Sequence, residues 1–112
     1  MSETIQWSDF SKIDMRVGTI IQVDDFPKAR KPAYQVKIDF GLGMGVKKSS
    51  AQITKRYAKE DLLGKQIVAV VNFPKKQIAD FMSECLILGA VEDDDVILLQ
   101  PSFDIPNGLK IS

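Results

Sequence analysis

The segment Tyr34-Gln-Val-Lys-Ile-Asp-Phe40 alternates apolar and polar side chains without a fault. Only an extended strand with one buried face sends every second residue to the same side, so this stretch is a strand against a core. Arg16 to Val23 is rich in β-branched residues and reads as the strand before it. The loop Asp25–Pro32, broken by two prolines, lets the two strands pair as a hairpin.

More strands follow. Gly41-Leu-Gly-Met-Gly45 is a turn, and Val46–Lys48 a short strand that ends at Ser49. Ser49-Ser-Ala-Gln52 has the Ser-x-x-Gln spacing of a capping box, which predicts a short helix through Ile53 and Tyr57. Lys59–Leu63 predicts one more helical turn, closed by Gly64 in a left-handed cap. Gln66–Val71, Cys85–Leu88 and Val96–Leu99 are nearly continuous apolar runs and read as buried strands, with Glu92–Asp95 as an exposed turn between the last two. Trp7, Phe10 and Ile13, spaced three apart, suit a short amphipathic leading helix; Pro106-Asn-Gly-Leu109 suits a turn before a brief edge strand. Five or more short strands, with a helix between the third and fourth, is the order of an OB-fold, a partly open barrel plugged at one end. The expected architecture is all-β: a five-stranded barrel with short helices and N- and C-terminal extensions. It forms one domain over residues 1–112, with its core over about 9–111.

Chemistry is narrowed mainly by what the chain lacks. It has no histidine, so histidine-based triads and metal sites are excluded. Its one cysteine, Cys85, lies in an apolar run where a thiol behaves as a small hydrophobe. Four consecutive acids at Glu92–Asp95 do not have the alternate spacing of a calcium loop, and the glycines from Gly41 do not fit a phosphate loop. No cofactor, no metal and no catalytic residue is expected. No apolar run is long enough to cross a bilayer as a helix and no secretory signal opens the chain, so a cytoplasmic protein without membrane insertion is expected.

Charge points to binding instead. The net charge is zero, yet residues 43–82 carry eight basic against three acidic side chains, and residues 83–112 carry one against six. A neutral average can hide a positive face suited to an anionic partner. The candidate binding set is Lys47, Lys48, Ser49 and Ser50, then Asn72, Phe73, Lys75 and Lys76, then Met82, Ser83 and Glu84. Lysines attract phosphate, Asn and Ser hydrogen-bond adaptably, and an exposed Phe73 stacks on a base or accepts an apolar side chain. The mixture suits either RNA or an unfolded peptide. Trp7 and Phe10, with Phe103 and Ile105 in the tail, are more apolar surface than so small a monomer usually exposes, and are the candidate dimer interface.

The chain resembles the tRNA-binding-domain family of OB-folds, and within it the CsaA-type branch. The resemblance is carried by Asp14-Met-Arg-Val-Gly18, Phe26-Pro-Lys-Ala-Arg30, Ser49–Tyr57, Val70-Val-Asn-Phe-Pro74, Ser83-Glu84 and Pro106-Asn-Gly108. It implies a homodimer whose binding face lies near Ser49-Ser50, Asn72-Phe73 and Ser83-Glu84. The broader family implies tRNA as a partner; the CsaA-type branch implies unfolded polypeptide or preprotein segments and a role in protein export. Ser49-Ser-Ala51 and Asn72-Phe-Pro74 side with that branch. Asp80-Phe-Met-Ser83 departs from the family's Gly-Phe-Lys-Ser pattern, exchanging attraction for phosphate for repulsion and apolar surface, and so favours peptide.

Overall fold

A computed structural model describes residues 3–112; the first two residues of the expected domain lie outside it. The elements run in the order α1 (Trp7–Ser11), β1 (Met15–Asp25), β2 (Tyr34–Asp39), β3 (Val46–Ala51), α2 (Lys59–Leu62), β4 (Gln66–Val70), β5 (Lys76–Ile78), β6 (Phe81–Ser83), β7 (Leu86–Ile87), β8 (Gly89–Glu92) and β9 (Asp95–Leu98). Five strands form one antiparallel sheet in the order β3-β2-β1-β4-β7. The sheet curls until β3 and β7 approach, which gives the nearly closed barrel of an OB-fold.

The alternating β2 pairs with both neighbours and sends Val36 and Ile38, each fully buried, into the barrel. A bulge at Ile21 in β1 coils the long strand so that it serves both sides of the barrel. Ile20, Phe40, Ile53, Leu62, Ile67, Ala69, Cys85 and Leu98 complete the core. Leu62 is the plug: α2 has one turn, and its single buried side chain closes an end of the barrel. Gly64, at φ +82, turns the chain out of α2 as expected.

The helix expected over Ser49–Tyr57 is absent. β3 continues through Ser49 and Ser50 to Ala51, pairing Val36 with Ser49 and Tyr34 with Ala51, and a turn over Thr54–Arg56 follows. The Ser49 hydroxyl donates to the Ser50 carbonyl at 2.9 Å instead of capping a helix. The ladder with β2 and burial of Ser49 outweigh a local capping signal that stabilises by about 1 kcal/mol.

Two hairpins stand outside the main sheet. β5–β6 has no apolar alternation to announce it; Phe81 anchors it by packing on Phe26 and Ala33 of the β1–β2 loop, with ring centres of the two phenylalanines 5.4 Å apart. β8–β9 begins at Gly89, where a Cβ would lie 2.6 Å from Val96 Cγ1. The strand expected over Cys85–Leu88 is Leu86–Ile87, with the Leu88 amide still donating to Val68 O at 2.9 Å before the chain turns into this hairpin. The C-terminal segment straps the barrel: the Gly108 amide donates to Val17 O at 2.7 Å, the Val17 amide to Leu109 O at 3.0 Å and the Ile111 amide to Met15 O at 2.9 Å. The expected edge strand is a single bridge between Arg16 and Lys110.

Candidate functional site

The open end of the sheet needs its edge closed, and the block Ser83-Glu84 does this. The Glu84 amide donates to Lys48 O at 2.8 Å, the Lys48 amide to Glu84 Oε1 at 3.0 Å, and the Ser50 amide to Ser83 Oγ at 3.2 Å. These bonds occupy main-chain groups of β3 that would otherwise stand unpaired. Asn72 is likewise engaged at both ends of its amide, accepting from the Asp14 amide at 3.0 Å and donating to Lys12 O at 2.7 Å. It ties the leading helix to the end of β4. Ser49 is buried. Asn72, Ser49, Ser83 and Glu84 thus hold the frame of the site.

Beside that frame runs an apolar groove of about 830 Å³. It is lined by Phe73–Lys76 and Ile78 from the β4–β5 region, by Leu86–Gly89, Val91, Val96 and Leu98 from β7 to β9, and by Ser50–Ile53, Ser83 and Cys85. Phe73 is 54% exposed and Val91 70% exposed, so apolar surface stands open to solvent here. A second groove of about 810 Å³ lies beyond the β5–β6 hairpin, between Lys76–Ala79 and the β1–β2 loop with Arg30 and Lys31. Ser50, Gln52, Lys76 and Ile78 line both, so the grooves adjoin.

Of the predicted residues, Ser50, Phe73, Lys75, Lys76 and Ser83 meet at the first groove. Lys48 instead reaches the Phe81 ring, its Nζ 5.1 Å from the ring centre. Lys47 and Met82 line neither groove. Lys75 lies 3.7 Å from Glu84, and Asp80 3.5 Å from Lys28, so the unusual acid before Met82 stands opposite a cation of its own chain. Much of the positive excess over 43–82 is met the same way: Lys55 pairs with Asp94 at 2.8 Å, Arg56 with Asp95 at 2.6 Å and Lys59 with Asp25 at 3.0 Å. Hydrogen bonding and attraction from Lys55 and Arg56 hold the carboxyls of Asp94 and Asp95 below their ordinary range. Those same contacts fasten the β8–β9 turn to the barrel.

Ile78, Leu86, Val91 and the Arg30-Lys31 pair also line the grooves and lie outside the predicted set. Leu86 lies in a run read as wholly buried, though it is 46% exposed. A signal was available in Lys28-Ala-Arg-Lys31, three cations within a loop that the strand pattern itself places at the barrel's mouth. Chemistry is meagre in both grooves. Burial pushes the Cys85 thiol up to about 12, which removes the nucleophilic thiolate near neutrality. Among the described residues no three Cys, Asp or Glu side chains gather as metal ligands. No helix among them is long and apolar enough to cross a membrane.

Trp7 and Phe103 are 72% and 80% exposed, and Trp7 stacks obliquely on Phe10 with ring centres 5.4 Å apart. Ile105 is half-buried, and the Gln66 side chain bonds both its amide, at 3.1 Å, and its carbonyl, at 2.6 Å.

The family model described as "Putative tRNA binding domain" matches residues 15–110. The chain belongs to the tRNA-binding-domain family. Within that family it is similar to solved chaperones: CsaA from Bacillus anthracis str. Ames is 55% identical with a TM-score of 0.94, covering 98% of this chain and 100% of that one. CsaA from Picrophilus torridus is 57% identical with a TM-score of 0.91, covering 97% and 100%. It also aligns with the methionine–tRNA ligase of Thermococcus onnurineus (strain NA1), 37% identical over 97% of this chain and 14% of that protein. The chain thus spans about one seventh of the length of such curated relatives.

Proposed function

We propose that this family member is a homodimeric, non-enzymatic chaperone that holds unfolded polypeptide, including preprotein segments bound for export, in the apolar groove beside Phe73. The observation that carries the reading is solvent-open apolar surface in a formed groove, set on a frame whose polar groups are already satisfied. Loose apolar recognition of that kind accommodates many sequences. Similarity to two CsaA chaperones over nearly the full length supports it, as does a groove without histidine, metal cluster or thiolate. On this reading the protein works in the cytoplasm. Suppression of aggregation of a denatured client tests the assignment: Phe73→Ala lowers it, and undiminished suppression by that variant contradicts the proposed groove.

A second reading, tRNA binding, is favoured by Arg30, Lys31 and Lys76 around the second groove and by the family's description. Lys47, Lys48, Lys75 and Lys76 would then contact phosphates while Phe73 stacks on a base. The homodimer is proposed from Trp7, Phe10, Phe103 and Ile105; light scattering at the 12.5 kDa of one chain across micromolar concentrations contradicts it.

A further inference from the structure

The free edge of β5 faces a groove. β6 lies on the β3 side of the hairpin, joined to it through the Ser83 and Glu84 bonds, which leaves β5 outermost. Among the described residues β5 pairs only with β6. Successive residues of a strand point to opposite faces, so a groove that touches one face meets every second residue. The second groove is lined by all three residues of β5 and by Ala79 of the turn that follows, as expected of contact along the strand's open edge. The two-residue turn Ala79-Asp80 makes Ile78 and Phe81 a hydrogen-bonded pair, so within β5 it is Gln77 that directs its N–H and C=O away from β6. The one bond found along this edge is the Gln77 side-chain amide donating to Ala79 O at 2.9 Å, a contact within the chain that an incoming strand can replace. Arg30 and Lys31 of the β1–β2 loop line the same groove, which shares Ser50, Gln52, Lys76 and Ile78 with the apolar groove of Phe73.

We propose that the client is bound as an added β-strand on the outer edge of β5, with acidic side chains beside Arg30 and Lys31 and apolar side chains running into the Phe73 groove. This rests on the polypeptide reading above and adds its substrate class: extended segments in which an acidic stretch adjoins alternating apolar residues. Main-chain pairing explains how one site serves many sequences, since every client carries the same N–H and C=O groups, and the groove grades them by side chain.

Backbone N-methylation of the client tests it on the intact protein. A peptide of about eight residues, acidic at one end and alternating leucine with serine, is compared with two isomers N-methylated at either the odd or the even positions of its central segment. An added strand presents only one alternate set of N–H groups to β5, so one isomer binds about tenfold more weakly or worse and the other nearly as well as the parent. Equal affinity of all three overturns strand addition, and so does an equal loss in both isomers. A parent peptide that does not bind, while single-stranded RNA does, overturns the polypeptide reading itself. Reversing the acidic end, so that glutamates face the Phe73 groove, weakens the parent several-fold; unchanged affinity overturns the assigned polarity.

Discussion

Replacing Phe73 by alanine separates binding from folding. The side chain is 54% exposed and belongs to neither buried cluster, so its loss removes little packing from the native protein. A phenylalanine offers roughly 200 Å² of surface, leaving about 100 Å² for a client to cover. At about 25 cal/mol per Å² that is roughly 2.5 kcal/mol, and the cost of immobilising the ring and the client lowers the net loss to about 1–2 kcal/mol. Affinity for an unfolded polypeptide is thus expected to fall about 5- to 30-fold in a fluorescence anisotropy titration. The unfolding free energy from urea titration should stay within about 0.5 kcal/mol of the parent, as for other surface changes. Unchanged affinity refutes the groove, and a fall in stability matching the fall in affinity refutes the claim that Phe73 is held in reserve for a ligand.

Gly108 lies at φ +91, and a Cβ there would sit 2.5 Å from the Phe40 carbonyl oxygen. Gly108→Ala is therefore expected to lower stability by about 2–4 kcal/mol and the melting temperature by on the order of 10 °C, read by calorimetry; an unmoved transition denies that the C-terminal strap holds the barrel. Cys85, with its thiol at about 12, exposes about one part in ten thousand of thiolate at pH 8, so iodoacetamide labelling should be slow in the native protein and fast once it unfolds. Rapid native labelling contradicts its burial. Asp94 and Asp95 have folded pKa values below the ordinary carboxylate range, so their pairs with Lys55 and Arg56 stabilise the protein above that range. That contribution is lost as pH falls through the lowered values, and Asp94→Asn with Asp95→Asn should flatten the dependence of the melting temperature on pH below about 4. An equally steep acid limb in the variant contradicts it.

The barrel was legible where pattern and burial coincide. β2 shows its buried face in its alternation, and β1, β4 and β9 show theirs in apolar, largely β-branched runs. The failures arise where long-range contacts decide. Ser49–Gln52 looks like a helix start because the residues that make it a strand, Val36 and Tyr34, lie more than ten positions earlier. β5–β6 is invisible because it is held by one phenylalanine reaching another from a loop. In the candidate site, Phe73, Lys75 and Lys76 are legible as exposed residues of unusual type, and they do meet at the groove. Asn72, Ser83 and Glu84 stand out in sequence as strongly, yet their polar groups are taken up by Lys12, Asp14, Lys48 and Ser50, which only the folded chain brings near.

A groove that takes polypeptide by apolar and main-chain contact distinguishes its ligands by salt. This is tested most directly by titrating the protein, side by side, with tRNA and with a reduced, unfolded polypeptide at low and at physiological salt. Polypeptide should bind, with an affinity that falls far less steeply with salt than a chain of phosphates would require. Binding of tRNA alone, with log affinity falling linearly in log salt by about 0.7–0.9 per phosphate neutralised, would contradict it.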